Sequence, residues 1–467
     1  MQKPVSFIVS FVFYLSWVLM QLPSRAAMDG NDRFPKQLLL FSAEKEGQAR
    51  QLAANLNLHV APDIWTFFTE ASSGDLAGVT NTFARLRLRA SQYQGSVNDP
   101  TVSSPVWQTV IEVVTAYQAF GEGGSKYPLA FGEGIIESIP AGSIYFGGTD
   151  PGRGLVTALC HSQIRGDPFY TITQNALADG RYLDYLRSMY GSRIYLPSTN
   201  VSQKVFADFM ADALLRVNHD RDFPGLPKQV RPGENLQKDA NGRLTVNGQV
   251  SIMEINGLLA KDIFDHNTNR EFYVEESFPL DWMFPYLSPH GLIFKLNRKP
   301  LTALTGAEMD ADHAFWTKQC DGMIGDWLRP ETSLSNVCAF VVAVDVTGDF
   351  SHFTGDREFV TNSYMTKTFS KLRSAGANLY VWRLESVLDK GDKARLRAEA
   401  DYASRQAFAL SPVSPEAVFR LVNFLLSEGR INDAVLVART ASQVQPDDQM
   451  FSHLLSQLVE MRRKQKD

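Results

Sequence analysis

Cysteine is nearly absent: three residues, Cys160, Cys320 and Cys338, in a chain of 467. No two stand at metal-ligand spacing and none lies near the N-terminus to carry a lipid. That excludes a thiolate metal site and a dense disulfide framework. Buried free thiols are the expectation, and a Cys320–Cys338 bridge is the alternative open to an exported chain. The eight histidines are scattered singly, with no H-x-x-x-H pair, so no metal is expected. A G-x-S-x-G elbow, a phosphate loop and a G-x-G-x-x-G fingerprint are all missing, and no cofactor is implied. An excess of charge of one sign is missing too. Lys and Arg number 46 against 51 Asp and Glu, for a net charge of -5, and no long like-charge run occurs. Nucleic-acid binding needs a basic footprint, so no such partner is expected. The tail Arg462, Arg463, Lys464 and Lys466 reads as a solvated helix end. Beyond residue 22 no apolar run reaches the length of a membrane span.

What is present begins with the first residues. Lys3 precedes Val5 to Leu22, a stretch without charge. Ser24 and Ala26 are small residues at the minus-three and minus-one positions of a cut after Ala26. This is the shape of a secretory signal peptide. The stretch is also as long as the shortest membrane-spanning helix. Residues 1–27 are therefore read as a signal peptide or membrane anchor. The chain is expected to be exported, periplasmic or envelope-associated, and to touch membrane only through this segment.

A chain this long is expected to form two or three domains. Residues 43–120 read as helical, with "SPVWQTVIEVVTAYQAF" opened by Ser104 as a cap and Pro105 in the first turn. Residues 128–305 alternate strands and helices: "SIYFGG", "PFYTIT" and "RIYLP" as strands separated by helical stretches, then a hairpin around "DANGRLTVNGQ", a helix, and the strands "REFYVEES" and "HGLIFKLN". That rhythm predicts a parallel sheet with helices on its faces. Residues 306–397 form a helical extension in which "VCAFVVAVDV" reads as strand or buried helix. In 398–467, Ala400 and Ala434, Arg405 and Arg439, Ala407 and Ala441, and Pro412 and Pro446 are each 34 residues apart, the tetratricopeptide period. A stack this short needs a surface to dock on. The fold class is thus read as α/β: a mainly parallel, Rossmann-like sheet with helices on both faces, a helical N-terminal region and a C-terminal tetratricopeptide-like α-hairpin array.

In an open parallel sheet, ligands sit beyond the carboxyl ends of strands. Gly147, Gly148, Thr149, Asp150 and Arg153 would lie there, where backbone amides and a guanidinium could hold an anion. The bland alternative is a tight turn with Asp150 capping the next helix. Gln174 and Asn175 would emerge at the same edge, as hydroxyl contacts or as helix caps. Glu275 and Glu276 end a third strand, but adjacent strand residues face opposite sides, so at most one joins a common site. The catalytic residues are unassigned.

The segments "IPAGSIYFGGTDPGR", "TQNALADGRYLDYLRSMYG", "REFYVEESFPLDWMFPYLSPHGLIFKLNRKP" and "AFALSPVSPEAVFRLVNFLLSEGRINDAVLVA" resemble the soluble, exported portion of large bacterial membrane proteins of unknown function. That group is related to glycosyltransferases of the protein O-mannosyltransferase type, and the resemblance covers roughly residues 130–460. It implies an exported α/β domain followed by tetratricopeptide-like helices. The multi-span membrane part, which would hold a lipid-linked sugar and a catalytic carboxylate, is absent from this sequence. The expectation is an exported, non-catalytic binding protein with a protein partner on the C-terminal helices. The alternative is an enzyme acting on glycans or a phosphorylated carrier through the Gly147–Arg153 turn, with a glycan or anion as ligand.

Overall fold

A computed structural model describes residues 36–90, 96–121, 124–148, 151–160, 168–238, 244–275 and 279–464. The expected signal or anchor segment, and Thr149, Asp150 and Glu276, lie outside the described residues.

The chain opens with α1 (Lys36–Asn55), α2 (Pro62–Ser73), α3 (Leu76–Arg87), α4 (Trp107–Ala119) and α5 (Lys126–Ser138). Strands enter with β1 (Ile144–Gly147), then α6 (Gly154–Leu159), β2 (Tyr170–Thr173), α7 (Gly180–Tyr190) and α8 (Thr199–Asp222). The hairpin β3 (Asn235–Lys238) and β4 (Leu244–Asn247) leads to α9 (Gln249–His266), β5 (Phe272–Val274), β6 (Leu287–His290) and β7 (Ile293–Leu296). From Gly306 onward the elements are helices: α10 (Gly306–Ile324), α11 (Leu334–Val341), α12 (Arg357–Thr361), α13 (Ser363–Ser386), α14 (Lys390–Leu410), α15 (Pro415–Ser427), α16 (Ile431–Val444) and α17 (Gln449–Lys464). The ambiguous "VCAFVVAVDV" is helical, α11 running into one π turn at Val342–Val346.

The mainly parallel, Rossmann-like reading is overturned. Helix makes up 67 % of the structure and strand 5 %. The main sheet has five short strands in the order β2-β1-β5-β7-β6. Only β2, β1 and β5 are parallel; β7 and β6 run antiparallel. Two physical causes stand out. β6 and β7 are joined through Gly291 at φ 63, a left-handed turn that forces an antiparallel hairpin. The third strand expected at "RIYLP" does not form, because the outer edge of β2 is already occupied by tyrosine hydroxyls. Thr171 N donates to the Tyr190 hydroxyl at 3.0 Å, and that hydroxyl donates to Thr171 O at 2.8 Å. Thr173 N donates to the Tyr182 hydroxyl at 2.6 Å. Unpaired edge groups invite another strand, and two side chains of α7 remove the invitation. At the other edge the buried Arg383 donates to Leu287 O at 3.2 Å, to Pro285 O at 3.0 Å and to Leu301 O at 2.9 Å.

One continuous hydrophobic core runs from Leu38 in α1 through the sheet residues Ile144, Phe146 and Phe272 to Leu458 in α17. The N-terminal helices therefore pack on the sheet, and the C-terminal helices share its core. In the last four helices Ala400, Ala407, Ala434 and Ala441 are fully buried. Small side chains at those points let neighbouring helix backbones approach closely. Ser414 caps α15 with Pro415 in its first turn, and Gly429 at φ 72 ends it.

Candidate functional site

Nearly every residue of helix α4 is buried, yet it carries Gln108 and Glu112. Spaced four apart, they share one face. Gly154 begins α6 against that helix: a Cβ there would stand 1.9 Å from Thr115 Oγ1 and 2.8 Å from Glu112 O. Only glycine permits so close an approach, and it sets the neighbouring Arg153 beside Glu112. The guanidinium donates from Nε and Nη2 to Glu112 Oε1 at 3.1 and 2.9 Å, and from Nη1 to Gln108 Oε1 at 3.1 Å. Its face lies 4.8 Å from the Tyr182 ring centroid. Lys45, from α1, stands 2.5 Å from Glu112 Oε2 and donates to Gln48 Oε1 at 2.9 Å. The Tyr185 hydroxyl, from α7, donates to Glu112 Oε2 at 2.8 Å.

Lys45, Glu112 and Arg153 are each 3 % exposed. An isolated charge so buried would be prohibitively costly; a paired, hydrogen-bonded one is tolerated. Burial by itself would raise the Glu112 carboxyl, but Lys45 and Arg153 outweigh it and hold the group below the usual carboxylate range. Burial would lower Arg153, and Glu112 keeps it above its ordinary value instead. Burial, reinforced by Glu112, pushes the Tyr185 phenol well above 10. Glu112 is therefore held as an anion between Lys45 and Arg153.

Beside this cluster lies the glycine turn. Glu275, at the end of β5, accepts a hydrogen bond from Gly148 N at 2.8 Å. A Cβ on Gly152 would fall 1.6 Å from that carboxylate, and one on Gly148 2.8 Å from it. A Cβ on Gly147 would meet Gly152 O at 2.7 Å. The glycines thus wrap the backbone around the buried Glu275. Of the residues singled out in the sequence, Gly147, Gly148 and Arg153 fall together near the end of β1, and Arg153 points into the helices instead of outward. Gln174 is fully buried and Asn175 half-buried on the turn after β2. Asn175 O accepts from Asn256 Nδ2 at 3.0 Å, which ties this turn to α9. Thr149 and Asp150 lie outside the described residues.

The sequence reading missed Lys45, Gln108, Glu112, Tyr182 and Tyr185. A signal for one of them was available: Glu112 is the one charged residue in "SPVWQTVIEVVTAYQAF", and a lone carboxylate in so apolar a stretch implies a buried partner. All three cysteines are free and buried, and burial raises the Cys320 thiol to about 12. Among the described residues no group of three or more His, Cys, Asp or Glu is placed to hold a metal, and no helix is long and apolar enough to cross a membrane. No family model, no curated protein and no solved structure matches the chain.

Proposed function

We propose that this chain is an exported, non-catalytic binding and interaction protein of the cell envelope, a soluble relative of the extracytoplasmic part of glycosyltransferase-like membrane proteins. The observation that supports the non-catalytic reading is the closure of the charged cluster behind the sheet. Arg153, the side chain best suited to clamp an anion, is 3 % exposed and holds Glu112 and Gln108. An anion clamp must present free donors to its ligand. The working surface in this reading is the C-terminal helices, whose repeated alanines build a packed helical array suited to a protein partner.

The test is turnover. The full chain is incubated with nucleotide sugars, sugar phosphates and glycans, and products are followed by mass spectrometry. The reading expects no turnover. Turnover that disappears in Asp150→Asn would overturn it and establish the turn as an active site.

A further inference from the structure

Of the 24 residues of α8, only Phe209, Ala213 and Arg216 are buried. At its end stand five consecutive exposed residues, Phe223, Pro224, Gly225, Leu226 and Pro227, with no polar side chain among them. Phe223 is 53 % exposed and Leu226 54 %. Single apolar residues scattered on a surface are ordinary; a run of them on one tip is not. The tip is also fastened at its base. The Asp220 carboxylate accepts from Gln229 N at 2.7 Å and from Val230 N at 3.1 Å, and Asp220 O accepts from Lys228 Nζ at 3.1 Å. These bonds close residues 220–230 into a ring that holds Phe223 and Leu226 outward.

The backbone of the tip selects among partners. Pro224 and Pro227 have no N–H. Phe223 N donates to His219 O at 2.8 Å, and Leu226 N donates to Phe223 O at 3.1 Å. Two positions without a donor and two with a bonded one make four of the five that desolvation does not strand. A protein partner draws on hydrogen bonds as well as apolar contact. A hydrocarbon phase offers none and penalises each group left open, and the tip suits that phase. The flanks suit it too. Arg221 donates to Asp222 at 2.8 and 3.2 Å, so the carboxylate next to Phe223 is paired. Arg221 and Lys228 have long stems that let their charged ends stay in water while neighbouring apolar groups go deeper.

We infer that the 223–227 tip is a membrane-contact site that dips into the interfacial layer of a lipid bilayer. The inference rests on the envelope location proposed above. It adds a second contact to the one expected from residues 5–22 of the sequence, and two weak attachments hold a protein on a membrane where one does not.

The experiment uses the full chain with Phe223→Trp, which places an indole on the tip. Phosphatidylcholine vesicles are supplied plain or brominated in the upper acyl chains, and the emission of wild type, with its seven native tryptophans, is subtracted. The expected result is a blue shift of the added emission on plain vesicles and its quenching on brominated ones. Leu226→Asp in the same background should cut the inserted population about tenfold, and both signals with it, without lowering Tm. Added emission that bromine leaves untouched overturns the inference, as does quenching that Leu226→Asp leaves unchanged. Sedimentation of the chain with vesicles is read separately. Sedimentation without quenching overturns the tip and leaves the envelope reading standing, and turnover bears on neither.

Discussion

Two buried carboxylates anchor the two halves of this molecule in different ways. In the sheet half, Glu112 stands between Lys45 and Arg153, one anion against two cations. In the helical half, Asp312 of α10 meets a single cation, Arg373 of α13, at 2.7 Å, with the Tyr380 hydroxyl also donating to it at 2.7 Å. Arg373 also donates to Gln406 of α14 at 2.8 Å. Both clusters fasten three helices where packing alone leaves polar atoms inside. The helical pair is balanced. In the sheet cluster one anion meets two cations, and Arg153 turns inward to Glu112 and Gln108.

The comparison can be broken most severely at its anions. Glu112→Gln keeps the shape but removes the carboxylate that Lys45 and Arg153 both meet in the interior, and a loss of about 3–5 kcal/mol is expected from urea unfolding. Asp312→Asn removes a carboxylate that meets one cation, so it should cost less in the same assay. If Asp312→Asn proved the more damaging, the charge-count argument would be wrong. Next in size is Gly152→Ala. Its Cβ would collide with the Glu275 carboxylate, so a loss of about 1–3 kcal/mol is expected. A third, smaller effect concerns the sheet edge: Tyr190→Phe removes the hydroxyl that serves Thr171 N and O. Leaving those buried groups without it should cost about 1–2 kcal/mol in urea unfolding.

Acid should separate the two halves more gently. Glu112 has its folded pKa depressed. A depressed carboxylate contributes stability that is fully present above its unfolded value, near pH 4, and that is lost as pH falls through the folded value. Wild-type stability should therefore decline on acidification below about pH 4. Glu112→Gln should show a shallower decline, measured as Tm across an acid series. An identical acid limb in the two proteins would remove Glu112 from the account.

Much of the element order was legible. The strands at "SIYFGG", "PFYTIT", "REFYVEES" and "HGLIFKLN", the hairpin signalled by Asn241-Gly242 and Asn247-Gly248, and the long C-terminal helices follow from local patterns. The sheet's extent was not legible. Apolar alternation in "RIYLP" satisfies a strand pattern, but whether a strand has an edge to join depends on Tyr182 and Tyr190, brought there by a helix. The inward turn of Arg153 was hidden for the same reason. Its partner Glu112 lies 41 residues earlier, in a helix, and nothing between the two encodes the meeting. The glycines of the turn were visible, but their cause, the carboxylate of Glu275 packed beneath them, is a tertiary contact.

The most direct test is a double-mutant cycle between Arg153→Met and Glu112→Gln, read by urea unfolding of the full chain. If Arg153 serves the core, the two losses should be strongly non-additive, with a coupling of about 1–3 kcal/mol, and removing both charges should be milder than the sum. Coupling near zero, together with loss of anion binding in Arg153→Met alone, would show instead that Arg153 serves a ligand, and the account of this site would be contradicted.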